Sequence, residues 1–189
     1  MTIPKLGWGV CGSFCTIARC CSIMAPLAGR WEITPILSDN VQQTDTRFGR
    51  AEEVCAAIAQ AAGHPALRTI AQAEPLGPKT PLDLMVIAPC TGNTLAKLAQ
   101  GITDTPVTMA AKAHLRADRP LVIALASNDA LSANLWNLAI LLNRKNVYFV
   151  PLCQDDPAGK PHSLVCRFER LEEAMEAAML AKQLRPLFL

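Results

Sequence analysis

The densest group of chemically able side chains in this sequence is Cys90, Thr91, Asn93 and Thr94, gathered in and just after the turn Pro89-Cys90-Thr91-Gly92-Asn93. A thiol, hydroxyls and a carboxamide, with the free N–H groups of a helix start behind them, suit the edge of a neutral heterocycle or an oxyanion. The same set is a poor metal site, because it lacks imidazole and carboxylate ligands at close spacing. Three further turns carry residues of the same kind. In Cys11-Gly12-Ser13 the glycine permits a tight bend, and Ser13 brings a hydroxyl and an N–H to a helix start. That is the chemistry of a mononucleotide phosphate site, with a plain helix cap as the alternative for Ser13. Ser38-Asp39-Asn40 offers Ser38 to the same phosphate, or Asp39 to a ribose hydroxyl, or neither if the segment is only a polar loop feeding the next helix. Ser127-Asn128-Asp129 is the fourth such turn.

These turns form one site only if the elements around them bring all of them to one edge of a sheet. The apolar run Leu84–Ala88 reads as a buried parallel strand, and Lys5–Val10, Trp31–Leu37, Leu121–Ala126 and Val147–Val150 read as others. Between them lie helical patterns over Ser13–Leu27, Arg50–Ala62 and Ala133–Asn143. One helix resumes at Thr94 and stops at Gly101, and the next is started by Asp104-Thr105-Pro106. Phe168–Leu184 reads as a final amphipathic helix whose stripe Leu171, Met175, Ala178 and Met179 is core packing. The proline-punctuated stretch His64–Thr80 reads as loop with a short edge strand near Arg68–Ile70, and Asp155–Pro161 reads as a loop. His64, before Pro65, is a surface loop residue on this reading. The alternation predicts one α/β domain over residues 1–189, with a doubly wound, mainly parallel sheet of Rossmann or flavodoxin-like type. Such sheets bind ligands at the carboxyl ends of their strands, where all four turns fall.

Gly7-Trp8-Gly9-Val10-Cys11-Gly12 matches the G-x-G-x-x-G dinucleotide fingerprint literally. That motif needs its strand to end at the first glycine. Too little chain precedes Gly7, so the better register runs the strand through Gly7 and Gly9 to Val10. An NAD(P)-binding enzyme stays an alternative on the literal match.

With 51% hydrophobic and only 18% charged residues, against about a quarter in an average protein, the chain is expected to bury much surface. A doubly covered sheet or contacts in a homo-oligomer would account for it. A net charge of +2 gives no electrostatic case for nucleic acid. The longest apolar runs are too short for a membrane span, and the stretch Met1–Trp8 lacks the apolar region of a secretory signal. The expectation is therefore a cytoplasmic protein whose eight cysteines are buried thiols, not disulfides or metal ligands. Lys112, His114 and Arg116 form a basic group that is either a solvated helix face or an anion contact. Lys112 and His114 lie roughly 200° apart around a helix. They share one site only if the helix ends near Ala113 or one of them serves a neighbouring subunit.

The segment from Ala88 to Ile102 resembles the Pro-Ala-Ser-Ala-Asn-Thr region of the flavin-containing cysteine decarboxylase superfamily, and Gly9–Ser13 and Ser38 match its FMN-phosphate positions. The resemblance covers nearly the whole chain. Within that superfamily the chain is most similar to the family of dipicolinate synthase B subunits. The segments Pro75–Lys79, Ala88–Asn93, Ile102–Val107, Ala110–Arg116 and Tyr148–Pro151 carry this likeness. It implies that, with a separate A subunit, the chain forms dipicolinate from dihydrodipicolinate during endospore formation. By resemblance Gly12, Ser13 and Ser38 hold the FMN phosphate, Thr91, Asn93, Thr94 and Ser127 border the flavin ring, and Phe48 is a further cofactor contact. Asn93 and His114 are then the catalytic candidates, His114 as a base near neutral pH. Arg47 and Lys112 are candidates for the substrate carboxylates. The superfamily also implies a homo-oligomer, a trimer or a multiple of one. This chain has Glu74-Pro75 where the decarboxylases carry a histidine, and Ser127-Asn128-Asp129 where they carry Met-Asn. The flavin scaffold is thus implied more directly than decarboxylation. A partner that binds FMN or substrate without catalysing is the remaining alternative.

Overall fold

The computed structural model describes residues 3–77 and 79–189. Met1 and Thr2, at the start of the stretch read for a secretory signal, and Pro78, within the segment Pro75–Lys79, lie outside the described residues. The chain alternates as expected: β1 (Lys5–Val10), α1 (Phe14–Leu27), β2 (Glu32–Leu37), α2 (Asp39–Gln43), α3 (Ala51–Ala62), α4 (Ile70–Ala73), β3 (Leu84–Cys90), α5 (Gly92–Gln100), α6 (Pro106–Leu115) and β4 (Leu121–Ser127). It continues with α7 (Leu135–Leu142), β5 (Val147–Phe149), β6 (Leu152–Cys153), β7 (Leu164–Cys166), a 3-10 turn at Phe168–Arg170 and α8 (Leu171–Met179).

Strands β2, β1, β3, β4 and β5 pair in that order and all in parallel. The far half of β4 instead takes β7 antiparallel on the edge that β5 vacates, and β6 pairs β7. The sheet is mixed and mostly parallel, as the alternation of elements predicts. Its central strands are apolar throughout because both faces are covered: every residue of β3 and β4 is buried. The helices α4, α6, α5 and α7 pack in one group, and α3, α1 and α8 in another.

Gly7 and Gly9 lie inside β1, not in a phosphate turn. A Cβ on Gly7 would meet Leu82 at 2.5 Å, and one on Gly9 would meet Val107 of α6 at 2.9 Å. These glycines let the loop before β3 and α6 approach the sheet, which removes the structural basis of the literal dinucleotide fingerprint. On the opposite pleat Trp8 is fully buried and its Nε1 donates to Ala88 O at 2.8 Å. It ties β1 to the end of β3 directly under the Pro89–Asn93 turn.

The structure corrects several boundaries. The edge strand near Arg68–Ile70 is absent: only Leu67 bridges Ile36. Thr69 and Gln72 then form a capping box that starts α4. The last helix ends at Met179, not Leu184, because the chain turns at Ala181 (φ +56°). Gln183 is thereby placed to pair Phe149 through both N and O, at 2.9 and 2.7 Å, and covers the open edge of β5. The short hairpin β6–β7 fills the stretch around the loop expected at Asp155–Pro161.

No helix among the described residues is long and apolar enough to cross a membrane.

Candidate functional site

The four polar turns do converge at the carboxyl edge of the sheet, and backbone bonds stitch the first three of them together. Ser38 N donates to Val10 O at 3.0 Å, and Cys11 N to Pro89 O at 3.1 Å. Ser13 and Ser38 occupy the N-cap positions of α1 and α2, yet neither side chain makes a capping bond. The alternative of a plain side-chain cap at Ser13 thus has no bond to support it. The Ser13 hydroxyl accepts a bond from Thr16 Oγ1 at 3.1 Å, Thr16 N donates to Ser13 O at 3.0 Å, and the N–H groups of Phe14 and Cys15 are left free. The Ser38 Oγ is buried and has no hydrogen-bond partner among the described residues. A buried hydroxyl without a partner costs about 1–3 kcal/mol.

Thr91 caps α5 by accepting from Thr94 N at 3.3 Å, and its hydroxyl donates to Thr94 Oγ1, which donates to Cys11 Sγ at 3.2 Å. Their hydroxyls are spent on fixing the turn, whereas Asn93 stands exposed beside them. The Ser127 Oγ donates to Asp129 Oδ1 at 2.5 Å, and Asn134 Nδ2 donates to Asp129 Oδ2 at 2.8 Å. Gly92 packs on this network. A Cβ there would fall on Ser127 Oγ and lie 2.7 Å from both Asn134 and Asp129. The β3 and β4 turns thus touch only because residue 92 lacks a side chain.

Two cavities open between the turns and share Gly12, Thr91 and Asn93. The smaller, about 90 Å³, is lined by Ser38, Thr94 and Lys97 among others. The larger, about 990 Å³, runs past Ser13, Ser127 and Asp129 to a wall formed by the β6–β7 segment. Sequence reasoning missed Lys97, Lys160 and His162, which line these cavities. Lys97 stands within Ala88–Ile102, where the family resemblance could have found it. Nothing in the sequence placed residues 160 and 162 over the sheet edge, because strands as short as β6 and β7 leave no readable period.

The other candidates lie elsewhere. Arg47 and Phe48 are exposed on the loop after α2, with the guanidinium 4.9 Å from the Phe48 ring centroid. Lys112 lines a separate pocket of about 230 Å³ with Leu98, Thr108 and Arg144. His114 corrects the expectation of a base: it is wholly buried, and its Nε2 donates to Pro120 O at 2.7 Å, at the amino end of β4. It cannot reach a ligand at the other end of that strand.

Desolvation, opposed by the Pro120 carbonyl, holds the His114 pKa below its usual 6.5. The unfolded chain then takes up a proton that the folded one refuses. Stability from this group is full above about pH 6.5 and declines as the pH falls below it. Urea midpoints of the wild type are expected to drop more steeply than those of His114→Gln between about pH 7 and about pH 5. Parallel slopes would show that the residue titrates alike in both states.

Burial pushes the Cys11 thiol up to about 11 and the Cys90 thiol well above its usual range. A thiol that stays protonated is a poor nucleophile. In native protein an alkylating reagent is expected to modify exposed Cys15 and spare Cys90, and Cys90→Ala is expected to keep most activity. Peptide mass mapping that finds Cys90 modified as fast as Cys15 would refute this.

Comparisons with known proteins agree with this architecture. The Flavoprotein family model matches residues 2–180. The B subunit of dipicolinate synthase from Bacillus subtilis is 44% identical over 97% of this chain and 92% of its own length. The crystal structure of the dipicolinate synthase B subunit from Bacillus halodurans superposes with a TM-score of 0.90 at 43% identity, covering 100% of this chain and 98% of that one. A dodecameric FMN-dependent UbiX-like decarboxylase from Escherichia coli O157:H7 aligns with a TM-score of 0.63 at 25% identity, covering 78% of this chain and 79% of that one.

Proposed function

We propose that this chain, which belongs to the flavoprotein family and within it to the family of dipicolinate synthase B subunits, binds FMN across its two cavities. With an A subunit, it would then convert dihydrodipicolinate to dipicolinate during sporulation. The observation that carries the reading is the Ser38 hydroxyl, buried and unpartnered beside a helix cap it does not serve. A phosphate would satisfy it, together with Ser13 and the free N–H groups at the start of α1. Gly12 forms the floor, where a Cβ would press on Phe14 at 3.3 Å and Asn40 at 3.4 Å. Lys97 lies in the same cavity, its ammonium held by both oxygens of Asp104 at 2.8 and 2.9 Å, and the Asp39 carboxylate also lines it.

When bound, FMN supplies a hydride acceptor for the substrate, whose aromatisation removes two hydrogens. Thr91, Thr94 and Ser127, locked by their own hydrogen bonds, would border the flavin without having to reorganise. The exposed Asn93 carboxamide would be free to orient a substrate carboxylate. His114 takes no part. Arg47, Phe48 and Lys112 enter this reading only from a neighbouring copy in a trimer or a multiple of one. Light scattering that returns a monomer at micromolar concentration would remove them.

The experiment is dihydrodipicolinate oxidation measured with this chain alone, with its A-type partner alone, and with both. Activity that needs both proteins and added FMN supports the reading. Full activity from the partner alone refutes it.

A further inference from the structure

Aromatisation of a dihydro ring releases two hydrogens of different kinds. One leaves as a hydride, with its electron pair, to the flavin. The other leaves as a proton, its bonding pair staying behind to complete the ring, and this proton needs an acceptor. His114 cannot serve, because it is buried at the amino end of β4. The carboxyl end of the same strand carries a better-placed pair. Ser127 is the last residue of β4, its Oγ donates to Asp129 Oδ1 at 2.5 Å, and both residues line the large cleft.

The pair is held from behind. Asn134 donates to Asp129 twice, from Nδ2 to Oδ2 at 2.8 Å and from its backbone N to Asp129 O at 3.1 Å. Asn137 Nδ2 in turn donates to Asn134 Oδ1 at 3.0 Å. Gly92 closes against the side chains of Ser127, Asp129 and Asn134, and its missing Cβ leaves the room they occupy. One Asp129 oxygen therefore faces the Ser127 hydroxyl while the other is tied to the start of α7. A hydroxyl that donates to a carboxylate keeps its lone pairs for an incoming proton. It can pass its own proton on as it accepts another. The other titratable groups lining the cleft are Cys15, Arg19, Asp155, Lys160 and His162. Arg19 is engaged by Glu169 at 2.6 Å, and Lys160 by Asp155 at 3.1 Å. Cys15 and His162 are exposed, and neither has a side-chain partner that fixes it among the described residues.

We propose that Ser127 and Asp129 form the proton relay of the oxidation. Ser127 Oγ takes the proton from the ring as its own proton passes to Asp129 Oδ1, and the carboxylic acid so formed loses it to the water of the cleft. Ser127 is then the catalytic residue, and Asp129 is the positioning residue that orients its hydroxyl and receives its proton. The inference rests on the reading of the cleft as a flavin-dependent dihydrodipicolinate site.

The experiment pairs single-turnover kinetics of the FMN-loaded chain and its A-type partner with an acid titration of the FMN-free chain. Asp129→Asn, close in shape but unable to accept a proton, and Ser127→Ala are each expected to slow ring oxidation by about a hundred- to ten-thousandfold, the scale of general acid–base catalysis. FMN affinity is expected to stay near that of the wild type in both. Wild-type kcat/KM is expected to fall with a single-proton slope as the pH drops, because the relay needs an ionised carboxylate, and Asp129→Asn is expected to lose that acid limb. Infrared difference spectra of the FMN-free chain report the same group directly. The carboxylic-acid stretch that Asp129→Asn removes is expected to titrate within about one pH unit of the acid limb, since kcat/KM reports the free enzyme. A folded variant of either kind that keeps more than about a tenth of the wild-type rate overturns the proposal. So does an acid limb that persists in Asp129→Asn and vanishes in His162→Gln. If Asp129→Asn fails to fold, Ser127→Ala decides on the same criterion. A wild type that oxidises nothing with its partner and FMN refutes the functional reading and the relay with it, whereas an active wild type with equally active variants refutes the relay alone.

Discussion

Ser38→Asp protein is expected to fold, to purify colourless and to have lost FMN affinity by about a thousandfold. The argument is electrostatic. A carboxylate at position 38 would occupy the small cavity beside Gly12 and Thr94 and face the phosphate at close range. Two like charges about 4 Å apart near a protein surface repel by about 4 kcal/mol, which is a factor of about 10³ in affinity. Ser13→Asp is expected to act in the same direction, since Ser13 stands at the start of α1, whose free N–H groups would face the same phosphate. Ser38→Ala separates binding from stability. It deletes a buried hydroxyl that has no partner, so the FMN-free protein is expected to lose no stability, while FMN affinity falls by about tenfold for one lost hydrogen bond. Flavin titrations and thermal melts on both variants check this. Unchanged FMN affinity in Ser38→Asp would move the phosphate elsewhere.

Trp8→Ala is expected to destabilise the fold by about 3–5 kcal/mol, the usual cost of emptying a large aromatic site. Trp8 is fully buried among the largest core side chains, and its indole N–H satisfies Ala88 O at 2.8 Å. The variant both opens a cavity and leaves a buried carbonyl unpaired. Because Ala88 lies in β3 immediately before the turn that carries Thr91 and Asn93, flavin binding is expected to weaken with stability. Trp8→Phe fills most of the space but still orphans the carbonyl, so it should fall between. Urea denaturation measures both. A loss under about 1 kcal/mol for Trp8→Ala would be below the range for any large core truncation and would contradict the packing described.

Much of this architecture could be read before the structure. The bounds of β1 coincide with the pattern at Lys5–Val10, and Gly63 and Gly101 end their helices with φ of +70° and +73°, as C-terminal glycines do. The convergence of the polar turns followed from one rule about where parallel sheets bind ligands. What stayed illegible has physical reasons. The β6–β7 hairpin rests on two- and three-residue strands, too short for an alternation to show, and it carries Lys160 and His162 into the cleft. The helical pattern through Leu184 is genuine in composition, but the chain turns at Ala181 and Gln183 pairs with Phe149 instead of continuing the helix. His114 is a candidate base in the sequence only through its ordinary titration near neutral pH. Its position on α6 instead turns it toward the start of β4, where a backbone carbonyl holds it.

The most direct test of the central claim compares FMN with riboflavin, which has the same ring and lacks the phosphate. Equilibrium titrations of the wild-type chain are expected to show FMN bound at least about a hundredfold more tightly, since a phosphate at a helix start gains more than one charge-assisted bond. The same titration on Ser38→Asp should erase that preference. Equal affinity for the two flavins, or no binding of either, would contradict the assignment of Ser13 and Ser38 as the phosphate site.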